Sequence, residues 1–463
     1  MMNLLIKNAH IVNEGELFFG AVEIEGERIT HLYRYELGKE PDSMPEADTE
    51  VDAEGGYLMP GVIDTHVHFR DPGLTEKADF ATESRAAVAG GVTSVIDMPN
   101  TQPQTTTLAL LEEKEQMASE KSVVNYGFML GATNDNIDEL LEIDPRRYAA
   151  IKLFLGSSTG NMLVNNAQKL DYLFEKSKKL IVAHCEDESI IKNNTIMYRA
   201  EVGGTDKESA ELHPKIRSTE ACYVSTYKAV ERARKYGTHL HIAHVSTATE
   251  LNLFSNQSLA EKHITAEVTP NHLWFDDRDY PSLGNKIKCN PSIKSNDDRL
   301  ALWAALYDGL IDTIGSDHAP HTLQSKEKPY FDAPSGIPSI QHTLLMMLEP
   351  FFATPESLDP QIAPTWFPLL VEKMCHNPAL LFGIEERGFI REGYYADLVL
   401  VRPAVENKIE KKDLLYKCQW SPLEGMTFHS RVEMTLVDGQ MAYRFGDKIT
   451  SFGNKPMLLS FNK

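Results

Sequence analysis

The sequence predicts an α/β protein: a (β/α)8 barrel of the TIM type, with a small composite β-sandwich domain built from both termini. Three observations predict it. Short apolar runs alternate with helix-like segments through the middle of the chain, and eight such runs can be counted. Most of them end in polar residues able to do chemistry, and a parallel barrel gathers its C-terminal strand ends at one mouth. The two termini have a different texture, with short alternating runs between turn residues, which suits a sheet.

Taken in order, residues 2–58 read as β. LLIKNAHIV and AVEIEGERITHL alternate, and Glu25-Gly26-Glu27 is a turn. The stretch Glu36 to Thr49, rich in Pro, Asp and Glu, reads as an exposed loop. Barrel strand one begins at Val62-Ile63 and runs into His66, His68, Arg70 and Asp71. A helix over Thr75 to Ala89 follows, closed by Gly90-Gly91. Strand two, Val92 to Met98, leads to Asn100. Strands three to eight start near Val123, Ala149, Leu180, His239, His263 and Asp312. Helical periodicity marks Thr219 to Tyr236 and Asp297 to Tyr307 between them. The C-terminal region returns to β texture in ADLVLVRP and RVEMTLVDGQMAYRFG, with Asp438-Gly439 as a hairpin turn. The expected division is therefore 1–58 with 390–463 as the small domain and 59–389 as the barrel.

Composition excludes several function classes. Lys and Arg number 46 against 67 Asp and Glu, a net charge of −21. Nucleic-acid binding needs clustered cations, so no nucleic-acid partner is expected. An anionic substrate must meet a local positive site. The five cysteines, Cys185, Cys222, Cys289, Cys375 and Cys418, are scattered and form no C-x-x-C pair, which suits a reducing cytoplasm. No signal peptide is legible at the N-terminus, and no apolar run is long enough to span a bilayer.

The strand ends carry His66 and His68, Asn100, Lys152, His184, His244 and Asp317. Residues two apart on a strand share a face, so His66 and His68 point the same way. A single buried histidine is usually a hydrogen-bonded core residue. Four histidines and an aspartate at separate strand ends instead point to divalent metal. The set exceeds what one tetrahedral zinc takes, and it suffices for two if a further anion bridges them. Lys152 sits within the apolar run AAIKLFLG. A buried unpaired ammonium costs several kcal/mol. Either a nearby carboxylate pairs it, or its amine has taken up CO2 to become a bridging carbamate.

Together, HVHFRDPG, MPNT, IKLFLG, AHCED, IAHVST, CNPSIK and SDHAPHT resemble the dihydroorotases within the amidohydrolase superfamily. The resemblance spans nearly the whole chain. It implies two zinc ions, one on His66 and His68 and the other on His184 and His244, bridged by carboxylated Lys152. It implies that Asp317 binds metal and serves as catalytic acid/base toward a zinc-bridged hydroxide. The reaction implied is the reversible hydrolysis of (S)-dihydroorotate to N-carbamoyl-L-aspartate in de novo pyrimidine (UMP) biosynthesis. The substrate-binding residues implied are His68, Arg70, Asn100, Asn290, His321, Ser335 and Gly336, with Arg70 as a bidentate partner for the substrate carboxylate. A homodimer is expected by analogy.

Two departures stand out. Lys294 occupies a position where the family often has Arg, and Ser335 one where an aromatic is common. The length of Thr322 to Pro334 suggests a lid. His241 is expected to be structural, His272 has no assignment, and His239, His342, His376 and His429 read as ordinary. Cys185 is expected to pack as a small hydrophobe. The nearest rival reading is a hydantoinase/dihydropyrimidinase or an allantoinase, with the same ligands and no need of Arg70. A non-catalytic assembly subunit would be expected to have lost ligands, and all six are present.

Overall fold

The computed structural model describes all residues except 1, 2, 37, 40, 42, 43, 157–161, 203–208, 354–362, 448–455 and 463. Four of these fall inside the expected Glu36–Thr49 loop, and that part of the expectation lies outside the described residues.

Five strands open the chain: β1 (Asn3–Asn13), β2 (Glu16–Glu25), β3 (Arg28–Arg34), β4 (Thr49–Asp52) and β5 (Tyr57–Pro60). Gly26, with φ of 63°, makes the expected turn between β2 and β3. The barrel strands follow as β6 (Val62–Val67), β7 (Val92–Asp97), β8 (Asn125–Phe128), β9 (Leu130–Gly131), β10 (Ile151–Phe154), β11 (Ile181–His184), β12 (Leu240–Ile242), β13 (Ile264–Val268) and β14 (Thr313–Ile314). Three more, β15 (Leu398–Lys408), β16 (Thr427–Val437) and β17 (Gln440–Arg444), end the series.

The barrel has eight staves, because β8 and β9 are halves of one extended segment broken at Met129. Its pairs are parallel, running β6-β7-β8 and then β9 through β14. The ring closes where a parallel bridge joins Val67 to His318, and His68 N–H donates to the His318 carbonyl at 2.8 Å. All eight expected strands are therefore present in order.

Helix ends follow capping chemistry. Thr219–Tyr236 forms as expected, with the Ser218 side chain accepting from Ala221 N–H and Gly237 ending it in the left-handed region. Asn296–Tyr307 is capped by Ser295. The first helix starts later than expected, at Phe80 rather than Thr75, because Asp79 is its cap and accepts from Thr82 N–H at 2.8 Å. Residues 74–77 turn back instead, with Leu74 N–H bonded to the Arg70 carbonyl.

The terminal strands join in one eight-stranded sheet of order β17-β16-β15-β5-β1-β2-β3, with β4 also on β1. Leu58 of β5 pairs with Leu400 of β15, so the two ends of the chain share a sheet. β5 runs to Pro60 and only Gly61 separates it from β6, so the sheet leads directly into the first barrel strand. Apolar residues of the two ends form a separate core, including Ile6, Ile11, Val22, Leu398, Leu400 and Leu436. At the seam with the barrel, the Arg387 guanidinium bonds both Asp397 and Asp438, at 2.5 and 2.7 Å. The Asn125 amide of β8 donates to the same two carboxylates. Asp438 and Gly439, with φ of 50° and 73°, make the expected hairpin turn. No helix among the described residues is long and apolar enough to cross a membrane.

Candidate metal centre and active-site cavity

A cavity of about 650 Å³ opens at the C-terminal ends of the barrel strands. Its walls include every residue expected there: His66, His68, Arg70, Asn100, Lys152, His184, His244, Asn290, Asp317, His321, Ser335 and Gly336. His66, His68, Asn100, His184, His244 and Asp317 stand at or just beyond the ends of their staves, Lys152 lies within its own, and Asn290, His321, Ser335 and Gly336 reach the mouth from the loops that follow β13 and β14.

His66, His68 and Asp317 form the tightest group, with potential ligand atoms all within 4.8 Å of one another. Asp317 Oδ1 lies 3.4 Å from His66 Nε2 and 3.2 Å from His68 Nε2. Burial pushes the His68 imidazole down to about 4. Burial would raise the Asp317 carboxyl, but the neighbouring His66 and His68 hold it well below its usual range. A neutral imidazole beside an ionised carboxylate is the donor set a divalent cation takes.

Each of three histidines is oriented from behind. His66 Nδ1 meets Glu267 Oε1 at 2.7 Å, and His68 Nδ1 meets Asn100 Oδ1 at 2.8 Å. Both acceptors hold the proton on Nδ1 and turn the Nε2 lone pair toward the cavity. In His184 the roles are reversed: Nε2 donates to Glu186 Oε2 at 2.9 Å, leaving Nδ1 as the donor atom, 2.9 Å from His244 Nε2. Glu186 is itself held by the Arg217 guanidinium. Glu267 and Glu186 were not singled out in the sequence. The available signals were a carboxylate inside the apolar run of strand seven, and the Glu two residues past His184 in AHCED.

Lys152 is 1% exposed, and its Nζ has no hydrogen-bond partner among the described residues. Burial lowers its amine to about 8, against the pull of Glu267 and Asp317. Among the described residues the nearest carboxylates, Glu267 and Asp317, act on this amine without a hydrogen bond to it. Backbone conformation at the mouth is unusual too. Arg70, His244 and Asp317 have φ of 67°, 40° and 45°, a region costly for residues with a side chain.

Arg70 is buried, and its Nε donates to the Pro320 carbonyl at 3.2 Å while Nη2 lies 3.2 Å from His321 Nε2. Burial lowers its guanidinium to about 10, so it stays charged at neutral pH. Asn290 Oδ1 is buried without a hydrogen-bond partner among the described residues. Gly336 has φ of 145°, and a side chain there would run into the Ala319 carbonyl. Its N–H already donates to the Lys288 carbonyl at 2.8 Å.

The Thr322–Pro334 segment, the expected lid, is held against the barrel by hydrogen bonds in this structure. Lys326 is buried, and its Nζ donates to the carbonyls of Lys288, Pro334 and Gly336 at 3.0, 3.0 and 2.9 Å. Lys288 Nζ donates to those of Tyr330 and Ala333. Two buried ammoniums thus knit the segment to the barrel as a wall. The remaining histidines fall outside the site. His241 bonds Thr265 and Thr313, and His272 bonds Thr269 and the Pro291 carbonyl. Lys294 is absorbed by Ser292.

A barrel of this form with such a mouth has a matching sequence family. The model described as "Amidohydrolase family" matches residues 57–442. The chain belongs to the amidohydrolase family. It is 35% identical over 410 residues to a protein named dihydroorotase from Halobacterium salinarum, covering 88% of this chain and 90% of that one. A second, from Methanosphaera stadtmanae, is 30% identical over 96% and 98% of the two chains. Among solved structures, the L-hydantoinase (dihydropyrimidinase) of Arthrobacter aurescens superposes with a TM-score of 0.89 at 26% identity, covering 99% of this chain and 100% of that one. The dihydropyrimidinase of Brevibacillus agri, at 24% identity and a TM-score of 0.82, shares the fold. This amidohydrolase has the composite β domain beside its barrel, and a triad, His66, His68 and Asp317, able to hold a metal ion.

Proposed function

We propose that this amidohydrolase is a zinc-dependent dihydroorotase, opening the cyclic amide of (S)-dihydroorotate to N-carbamoyl-L-aspartate and closing it in reverse. The observation that carries the choice of substrate is Arg70. A charged guanidinium buried in the cavity wall, anchored at Nε, is the partner a ring carboxylate needs in a protein of net charge −21. Neutral cyclic amides need no such group. The names carried by the relatives from Halobacterium and Methanosphaera support the same choice.

In this reading His66 and His68 would hold one zinc and His184 and His244 a second, with Asp317 as a further ligand. Lys152 would supply an anionic ligand as a carbamate: its amine nitrogen bonds the carbon of CO2 and releases a proton. Its burial without an acceptor supports this, because the modification replaces an orphaned cation by an anion between cations. Bound zinc supplies Lewis acidity here, acidifying water and polarising the amide carbonyl. Asp317 takes the proton from the attacking water and delivers it to the leaving ring nitrogen. Arg70, Asn290 and His321 hold the carboxylate end, with Ser335 and Gly336 along the ring. Asn100 both faces the cavity and fixes His68. We further propose the domain division 1–58 with 390–463 against 59–389, a cytoplasmic location consistent with five free cysteines, and a homodimer.

The second reading, a hydantoinase/dihydropyrimidinase or allantoinase, is favoured by the close superposition on the Arthrobacter enzyme. Steady-state kinetics on dihydroorotate, hydantoin, dihydrouracil and allantoin separate the two. Dihydroorotate is expected to be preferred, and Arg70→Met to lower its kcat/KM by ~100-fold, as for removal of one partner of a buried charge pair. Preference for a neutral ring would establish the second reading. The carbamate is tested by restoring zinc to metal-free enzyme with and without bicarbonate; equal recovery in CO2-free buffer would exclude it.

A further inference from the structure

Lys77 is the one charged side chain of the cavity lining that neither the metal centre nor the carboxylate site uses. It lies on the turn between the first barrel strand and the helix at Phe80–Ala89. Its side chain is 25% exposed, and its ion pair, with Glu76, is a loose 3.9 Å. That Glu76 carboxylate is 62% exposed at the rim. No hydrogen bond of Lys77 Nζ occurs among the described residues. Burial, and then the nearby Arg70 charge, hold its amine below the ordinary range, so the two cations feel one another.

We propose that Lys77 is a rim cation that draws carboxylate-bearing substrates into the cavity and passes them to Arg70, while Glu76 opposes it. The inference rests on the dihydroorotase reading and adds a specificity determinant to it. Two cations lining one cavity, Lys77 partly exposed and Arg70 buried, give a local positive field that the negative protein as a whole does not provide. Low-dielectric walls focus such a field, and salt screens it over about 10 Å at 0.1 M. Lys77 touches no reacting atom, so its effect falls on capture rather than on the chemical step.

The test measures kcat and KM for dihydroorotate with the zinc-loaded enzyme at low and high KCl. At low salt, Lys77→Met is expected to lower kcat/KM about 5-fold through KM, with kcat unchanged. The gap should close at high salt, and Lys77→Arg should match the wild type. Glu76→Gln should move the other way, raising kcat/KM at low salt. A deficit in Lys77→Met that persists at high salt, or that lies in kcat, would mean a structural role and overturn the inference. So would Met and Gln variants that both match the wild type. Those outcomes leave the dihydroorotase reading standing, whereas a wild type inert toward dihydroorotate removes both.

Discussion

Replacing Glu267 by Gln should weaken the metal site while leaving its shape. Glu267 is 1% exposed on β13, and its Oε1 serves two groups, His66 Nδ1 at 2.7 Å and the His244 N–H at 3.1 Å. A glutamine oxygen in the same place can accept from both. The amide NH2 would then stand where Oε2 was, with His241 Nε2 about 4.0 Å away and Gly315 packed beside it. The loss is therefore a charge rather than a contact. Without the carboxylate behind it, His66 becomes a poorer donor, and the centre holds one less negative charge against its cations. Loss of such a partner typically costs 10- to 100-fold in metal affinity, or ~1.4–2.7 kcal/mol. Competition with a graded series of chelators reads this directly, and zinc per chain after dialysis gives a second measure. Turnover should recover when zinc is added in excess. Unchanged zinc affinity in a folded Gln variant would refute the reasoning, since His66 would then be oriented without help from the acid.

Three further outcomes follow from the geometry. Gly336→Ala places a methyl against the Ala319 carbonyl at a φ of 145°, so a loss of ~1–3 kcal/mol in urea denaturation and a fall in activity are expected together. Lys326→Met leaves the Pro334 and Gly336 carbonyls without their donor, while the Lys288 carbonyl keeps the Gly336 N–H, and should lower the unfolding free energy by about 2 kcal/mol and raise proteolysis within residues 322–336. Burial, with Asp397 beside it, pushes the Asp438 carboxyl up to about 7. The folded state then keeps a proton that the unfolded chain releases near its ordinary value of 3.8, so this group's contribution to stability falls as pH rises through that window. Asp438→Asn, which tolerates the left-handed turn, should flatten that slope, as read from thermal midpoints at pH 5 and pH 8.

The staves and the polar groups at their ends were legible because both follow short-range rules: a run of Val, Ile and Ala, then a ligand. His66, His68, His184, His244 and Asp317 each follow such a run, Lys152 interrupts one, and the barrel brings them together. What supports them was not legible. Glu267 meets His66 across 201 positions, a pairing that local pattern does not encode. His318, beside Asp317 in the sequence, closes the barrel through Val67 and bonds Glu83 at 2.8 Å, a role no local pattern announced. The length of the Thr322–Pro334 segment was visible, while the buried reach of Lys288 and Lys326 that holds it was not. The late start of the first helix was readable in principle, since Asp79 three residues before Thr82 is a capping signal.

The pairing of Leu58 with Leu400 bears on how the molecule comes into being. During synthesis, β5 emerges early, and its partner on one side does not exist until the whole barrel has been made. That edge must wait while the barrel between them is made, a state prone to joining the wrong neighbour. Docking of β15 is then a late event that seals the work already done, and nascent chains halted before it should be the ones that chaperones hold.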